Sequence, residues 1–142
     1  MILIFTGNEQ LDKELNKTIK NSRVVYYTDY ILEEEDADIL IATVQNNKYN
    51  FKDLMYEVRR KNIRVILLLE NPKVKELKDA LILGIYDIIF DPFTIEEVKK
   101  SVNVQKPFSE VAEYIKKLLW KELVLMKKNN KVYLGFWLFK VE

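Results

Sequence analysis

Residues 84–102 read GIYDIIFDPFTIEEVKKSV, and this stretch predicts a buried strand followed by a helix. Apart from Asp87, residues 86–90 are apolar, and they have the length and the branched or aromatic side chains of such a strand. Thr94 and Glu97 have the spacing of a capping box, so a helix begins there and places Val98 on an apolar face. Gly84 is typical of the position just after a preceding helix.

The same alternation of strand and helix extends back to the first residue. Apolar runs predict four further strands, at residues 2–5, 23–27, 38–43 and 63–69. Asn8 is expected to cap the first helix, and Asn71 and Pro72 are expected to open the fourth. Five strands separated by helices predict an α/β, flavodoxin-like three-layer sandwich with a parallel sheet of order 2-1-3-4-5.

The remaining residues, 103–142, do not continue this repeat. We predict a domain at residues 1–102 and a C-terminal extension with a helix at about 109–120 and a candidate β-hairpin at 122–139. Residues 1–115 hold 16 basic and 20 acidic residues, whereas residues 116–142 hold 7 lysines and 2 glutamates. The lysines of this basic tail are interpreted as solvated, with contact to nucleic acid or anionic lipid as the alternative.

Composition excludes several classes of function. The chain has no cysteine and no histidine, so disulfides, thiol catalysis and histidine-based catalysis or metal ligation are ruled out. Its glycines, Gly7, Gly84 and Gly135, are too few and too far apart for a dinucleotide or P-loop fingerprint. No apolar run reaches the roughly 18–20 residues of a membrane span, and no leader is evident, so a cytoplasmic location is expected.

The stretch from Gly84 to Phe93 resembles the segment around the fifth strand of response-regulator receiver (CheY-like) domains. In that family a glycine, then Asp-Tyr, then Lys-Pro-Phe is typical, and Glu96-Glu97-Val98 stands where receivers begin their last helix. The resemblance covers about residues 1–102 and agrees with the predicted topology. It implies the receiver fold and a role in signal transduction.

The resemblance also implies where a phosphorylation site would lie, and its residues have been replaced. The acidic pair that holds Mg²⁺ in receivers is matched by Thr6 and Gly7, and the phosphoacceptor aspartate by Thr43. The hydroxyl residue that ends strand four is matched by Leu69, and the lysine by Asp91. We therefore expect a degenerate pseudo-receiver that is not an enzyme and holds no metal or cofactor.

Charge supports this interpretation. Phosphoryl transfer to a carboxylate requires a metal ion and a cation to offset the negative charge of the phosphoryl oxygens. Asp91 would instead add about 4 kcal/mol of repulsion per charge pair at ~4 Å and an effective dielectric constant of ~20. Glu9, Glu70 and Asp91 are interpreted as solvated loop acids rather than metal ligands. The Asp91–Pro92 bond is a candidate cis peptide, because receivers usually have cis geometry here.

The expected function is protein–protein interaction. The resemblance implies a face formed by helix four, strand five and helix five, suited to a protein partner or a symmetric homodimer. We predict its residues as Leu81, Tyr86, Ile88, Phe93 and Val98; Ile88 also replaces the switch aromatic of receivers.

The sequence bears on four other functions. Degenerate receivers of this kind resemble the N-terminal domains of TadZ/CpaE-type, MinD-like ATPases, which localise pilus or secretion machinery. The alternative is a transcriptional regulator whose basic tail contacts DNA, although no helix-turn-helix fits in residues 103–142 and nucleic-acid binding is not favoured. Base stacking by the tyrosines requires an open sheet face, which a doubly covered sheet lacks. No motif supports a carboxylate enzyme.

Overall fold

A computed structural model describes residues 1–120 of the chain. The five strands are β1 Ile2–Phe5, β2 Ser22–Val24, β3 Ile39–Thr43, β4 Arg64–Leu69 and β5 Asp87–Phe90. The helices are α1 Glu9–Thr18, α2 Thr28–Glu33, α3 Phe51–Arg60, α4 Glu76–Ile82, α5 Ile95–Asn103 and α6 Phe108–Ile115, followed by a π-helical turn at Lys116–Trp120. Within the described residues no helix is both long and apolar enough to cross a membrane.

The strands form one parallel sheet in the order β2-β1-β3-β4-β5, which confirms the predicted flavodoxin-like topology. Helices α1 and α5 pack beside each other, and α3 packs against both α2 and α4, so the sheet lies between two helical layers. One core cluster contains Ile4, Ile41 and Ile66 from the three central strands, with Leu15 of α1 and Val98 of α5. The near-continuous apolar runs of the sequence thus reflect burial of the strands on both faces.

Several local signals act as the sequence predicts. The side chain of Asn8 accepts from the backbone N–H of Leu11 at 3.1 Å, and that of Thr94 accepts from the N–H of Glu97 at 3.2 Å. These bonds satisfy donors that a helix N-terminus leaves unpaired. Gly84 has φ +77° just after α4, a left-handed conformation that glycine adopts without steric cost.

Two element boundaries were predicted wrongly. Helix α4 begins at Glu76 rather than at Asn71 and Pro72, because the Asn71 side chain accepts from the backbone N–H of Lys73 at 2.8 Å and forms a turn. Strand β2 ends at Val24, and Tyr26 and Tyr27, which the sequence placed in the strand, are exposed. Aromatic composition favours strands but does not distinguish a strand from an exposed segment that follows it.

A buried ionic network secures the amino ends of β4 and β5. The Arg64 Nε donates to Asp87 Oδ2 at 2.8 Å, and the Asp87 side chain is 3% exposed. The same guanidinium donates to the carbonyl oxygens of Ser101 and of Val102 at the end of α5. Asp87 Oδ1 accepts from the backbone N–H of Lys106 at 2.8 Å, so this carboxylate also holds the segment that follows α5. Hydrogen bonds in which one partner is charged are stronger than those between two neutral groups.

The chain divides into two compact units, Met1–Pro107 and a second unit that begins at Phe108. The predicted helix at 109–120 corresponds to α6 and the π-helical turn after it. The predicted β-hairpin at 122–139 lies outside the described residues. The division into a domain at 1–102 and an extension at 103–142 stays a prediction.

Candidate functional site

A cleft of about 550 Å³ opens at the carboxyl ends of the strands, where ligands bind in open α/β sheets. Thr6, Thr43, Leu69 and Asp91 follow or end four different strands, and the parallel topology brings all four to this cleft. Four of the five positions matched to the receiver site therefore line one concavity. Gly7, the fifth, follows Thr6 directly and is exposed.

The hydroxyl of Thr6 is already bonded within the protein. Thr6 Oγ1 donates to Asp12 Oδ1 at 2.5 Å and accepts from the backbone N–H of Asn8 at 3.2 Å. Asp12 lies on α1 and is only 4% exposed. Burial raises the pKa of Asp12, while the Thr6 hydrogen bonds and the positive charge of Lys48 act in the opposite direction. Sequence reasoning missed Asp12, because its contact with Thr6 forms only when α1 packs on the sheet.

Thr43 is likewise engaged by its neighbours. Its hydroxyl donates to the carbonyl oxygen of Thr6 at 2.7 Å, which ties the end of β3 to the end of β1. The hydroxyl of Tyr49 donates to the Thr43 carbonyl oxygen at 2.6 Å, and the Tyr49 and Phe5 rings have centroids 5.4 Å apart. Burial, and secondarily the charge of Glu76, raise the pKa of Tyr49, so this phenol stays protonated at ordinary pH.

Gly7 stands where a side chain would not fit without movement. Its φ is +70°, and a Cβ placed there would lie 2.5 Å from Oε1 of Gln45. Gln45 Nε2 donates to the Phe5 carbonyl oxygen at 3.3 Å, which holds that amide beside the glycine. An acidic residue at position 7 would therefore be strained and would displace Gln45.

The charge of the cleft is negative. Among the residues of 1–120 that line it, four are acidic and none is basic: Glu14, Glu70, Glu76 and Asp91. Within the described residues no three acidic side chains are grouped so that they could hold a metal ion. Glu9, which the sequence associated with Glu70 and Asp91, instead forms an ion pair with Lys13 at 3.2 Å. The arrangement favours a cation over an anion, without a cage for a metal.

The rim at β5 shows two further features. The Asp91–Pro92 peptide bond is cis, and the Asp91 N–H donates to the carbonyl oxygen of Leu69 at 2.9 Å. Leu69 is 3% exposed, and its side chain offers no hydroxyl group to the cleft. The Asp91 side chain is exposed at the position matched to the receiver lysine.

Three of the five residues predicted to form an interface are buried, so the prediction is wrong for them. Leu81, Ile88 and Val98 are 3%, 5% and 0% exposed, so they belong to the core and present no docking surface. The apolar stripes of α4 and α5 pack on the sheet, and candidates drawn from those stripes are buried for that reason. Tyr86 and Phe93 are partly exposed. Ile82, which the sequence reasoning missed, is 37% exposed at the end of α4.

Known structures give a consistent comparison. The chain is similar to a LuxR-family DNA-binding response regulator from Staphylococcus aureus, with 18% identity and a TM-score of 0.59 over 72% of this chain and 95% of that one. It is also similar to the chemotaxis response regulator CheY4 of Vibrio cholerae, with 13% identity and a TM-score of 0.60 over 72% of this chain and 94% of that one. A third similar structure is a putative pilus assembly protein, CpaE, from Burkholderia thailandensis, with 15% identity and a TM-score of 0.53 over 72% of this chain and 93% of that one.

The sequence itself matches neither a protein-family model nor a curated protein. The similarity is therefore one of backbone structure at low identity, and it agrees with the topology and with the cleft at the carboxyl ends of the strands. The chain has the CheY-like fold of response-regulator receiver domains, a fold that it shares with the CpaE pilus assembly protein.

Proposed function

We propose that this chain is a receiver-like domain that works without phosphorylation, as a protein–protein interaction module and not as an enzyme. One observation carries the proposal: within the described residues, the cleft matched to the receiver site is lined by carboxylates and by no basic side chain. Phosphoryl transfer to aspartate depends on positioned positive charge, which neutralises the phosphoryl oxygens as the bond forms.

The residues at the strand ends support the same proposal. Thr6 and Thr43 replace carboxylates, and their hydroxyls donate to Asp12 and to the Thr6 carbonyl oxygen. Asp12 is buried and its carboxylate accepts from the Thr6 hydroxyl, so it is not exposed to a phosphoryl donor in the cleft. A phosphoryl donor entering the cleft would also meet the charges of Glu70 and Asp91. Repulsion between these like charges disfavours the approach of a phosphoryl donor.

Acetyl phosphate tests this proposal directly. The full chain is incubated with acetyl phosphate and Mg²⁺, and its intact mass is measured. We expect the mass to stay unchanged, because no basic side chain among the described residues of the cleft offsets the negative charge of the phosphoryl oxygens. The variants Asp12→Asn and Asp91→Asn are treated in parallel, so that any adduct can be assigned to its residue. A stoichiometric phosphoryl adduct that one of these variants abolishes would overturn the proposal.

The proposed contact face comprises α4, β5 and α5. Ile82 is 37% exposed, and Tyr86 and Phe93 are partly exposed there, which supports contact with a protein partner or with a second copy of the chain. A symmetric dimer is the commonest closed assembly. The buried positions Leu81 and Val98 support this face from inside the domain.

Self-association is tested by light scattering during gel filtration at several concentrations. We expect wild-type chain to dimerise and Ile82→Asp to remain monomeric, because the carboxylate would be buried without a partner. Tyr56→Asp is the matched control, since Tyr56 is 55% exposed on α3, outside the proposed face. A wild-type monomer at high concentration would exclude the homodimer, and the face would then be assigned to a different protein.

The narrower proposal is a role in localising a pilus, secretion or conjugation machine in the cytoplasm. The structural similarity to the CpaE protein, described as a putative pilus assembly protein, supports it. The test is the genomic neighbourhood together with the position of a fluorescent fusion in the cell. Neighbouring pilus or secretion genes and a fusion focused at one site are expected, whereas a uniformly diffuse fusion would contradict the role.

The alternative is a transcriptional regulator whose basic tail contacts DNA. It is supported by the similarity to a DNA-binding response regulator of the LuxR family. Lys116 and Lys117 are exposed, and the other lysines of the tail lie outside the described residues. Electrophoretic mobility shifts at low and moderate salt would distinguish the two functions. A specific, salt-sensitive DNA complex would favour the regulator.

A further inference from the structure

Three tyrosines are exposed at the β2 edge of the sheet. Tyr26 and Tyr27 follow β2 and are 69% and 76% exposed, and Tyr30, in the first turn of α2, is 37% exposed. Exposed aromatic rings offer a binding partner large apolar surfaces that also accept contact with cations. These three residues, with the acidic residues described next, are called the tyrosine patch.

The tyrosine patch lies in the most acidic part of the chain. Residues 22–38 contain six acidic residues and one basic residue, Arg23. Five of the acids have exposed side chains: Asp29, Glu33, Glu35, Asp36 and Asp38. Two positive groups contact this segment from elsewhere: the Met1 ammonium pairs with Asp38 at 2.7 Å, and the Lys61 ammonium donates to the Leu32 carbonyl oxygen. The acids still outnumber the basic groups, a balance that attracts cations and repels polyanions such as nucleic acids.

The one basic residue shows how the patch holds a guanidinium group. The Arg23 guanidinium lies 5.8 Å from the centroid of the Tyr30 ring, within the range of a cation–π contact. It also donates to the Tyr30 hydroxyl and stands 3.9 Å from a carboxylate oxygen of Glu34. A planar cation is thus bound by an aromatic ring together with a carboxylate, a combination that suits arginine better than lysine.

We propose that the tyrosine patch is a docking surface for an arginine-rich segment of a partner protein. Tyr26 and Tyr27 would contact guanidinium groups as Tyr30 contacts Arg23, and the exposed acids would neutralise their charge. The patch borders β2, whereas the contact face proposed above borders β5, at the opposite edge of the sheet. The inference is independent of that face and adds a second binding surface to the domain.

Fluorescence anisotropy with a labelled oligo-arginine peptide tests the proposal on the full chain at low salt. We expect binding that weakens as salt is added and that is tighter than for an oligo-lysine peptide of equal length. The double variant Tyr26→Ser/Tyr27→Ser should bind roughly tenfold more weakly, because it removes two cation–π contacts and changes no charge. Both side chains are exposed, so circular dichroism should show an unaltered fold.

Two further variants and a DNA ligand distinguish binding at the tyrosine patch from binding elsewhere on the chain. Glu70→Gln/Asp91→Asn removes two charges from the cleft and should leave peptide affinity unchanged, whereas Glu33→Gln/Glu35→Gln should weaken it. A single-stranded DNA oligonucleotide should not bind through the tyrosines. The proposal is overturned by any of four results: no peptide binding, full affinity in the tyrosine variant, loss of affinity only in the cleft variant, or DNA binding that the tyrosine variant abolishes.

Discussion

At the β5 edge of the sheet, Arg64 and Asp87 form an ion pair at 2.8 Å whose side chains are 18% and 3% exposed. At the β2 edge, Arg23 and Glu34 stand 3.9 Å apart, and the Arg23 side chain is 54% exposed. The first pair also binds backbone groups of residues 101, 102 and 106, whereas the second contacts Tyr30 within a single surface segment. One arginine–carboxylate pair is thus largely buried, and the other is largely open to solvent on its arginine side.

The buried pair stabilises the fold, whereas the exposed pair lies on a surface that other molecules can reach. A buried pair lacks water to replace a lost partner, so removing one side leaves an unsatisfied charge. An exposed pair exchanges easily with solvent and with other cations, and its net contribution to stability is small. We infer that the β5 edge maintains the position of α5 and of the segment after it, while the exposed pair at the β2 edge contributes little to the stability of the fold.

The largest expected effect comes from Asp87→Ala. The variant leaves the Arg64 guanidinium partly buried without a carboxylate and frees the Lys106 N–H, so we expect a loss of about 3 kcal/mol in the free energy of unfolding. Arg23→Ala, at the other edge, should cost about 1 kcal/mol or less. Urea unfolding followed by circular dichroism measures both. Equal losses at the two edges would contradict the comparison.

A smaller effect is expected at the helix N-termini beside the two edges. Thr94 caps α5 through its hydroxyl, whereas Tyr27, the residue before α2, makes no side-chain capping bond among the described residues. Thr94→Ala should therefore reduce stability by about 1 kcal/mol, and Tyr27→Ala should leave it nearly unchanged. The same unfolding experiment provides the measurement. A Tyr27→Ala loss as large as that of Thr94→Ala would show that the β2 edge also supports the fold.

The smallest effect is expected at Asp12, a buried carboxylate paired with a hydroxyl instead of a cation. Its folded-state pKa is raised from the ordinary 3.8, so the folded protein binds this proton more tightly than the unfolded chain. Its contribution to stability is therefore favourable at low pH and declines as pH rises from 3.8 through the raised pKa. The change is small because the Thr6 hydroxyl and Lys48 oppose the effect of burial.

Asp12→Asn isolates this contribution, because the amide oxygen can still accept from Thr6 but no longer titrates. Stability of the variant relative to wild type should rise as pH increases from 3.8 through the raised pKa of Asp12 and be constant above it. Unfolding midpoints measured across these pH values provide the test. A relative stability that falls with pH would mean that the carboxylate is stabilised, rather than disfavoured, by its surroundings.

Most of the matched positions in the cleft could be predicted from the sequence, because they lie at the ends of strands. Thr6, Thr43, Leu69 and Asp91 follow apolar runs, and parallel strands bring such positions to one edge. Asp12 and Gln45 were missed, since their proximity to these positions arises only when α1 and the loop after β3 fold over the sheet. Leu81, Ile88 and Val98 were predicted wrongly as surface residues for a related reason: apolar spacing indicates the face that is buried and says little about the exposed one.

The sequence by itself determined the fold class, the strand order and the absence of cysteine, histidine and phosphate-binding glycine motifs. These follow from local chemistry and from the strong preference of parallel sheets for short right-handed connections. Only the tertiary structure paired Arg64 with Asp87 and joined Thr6 to Asp12. It also left Tyr26 and Tyr27 exposed, because burial depends on which distant segments meet, and no local pattern encodes that.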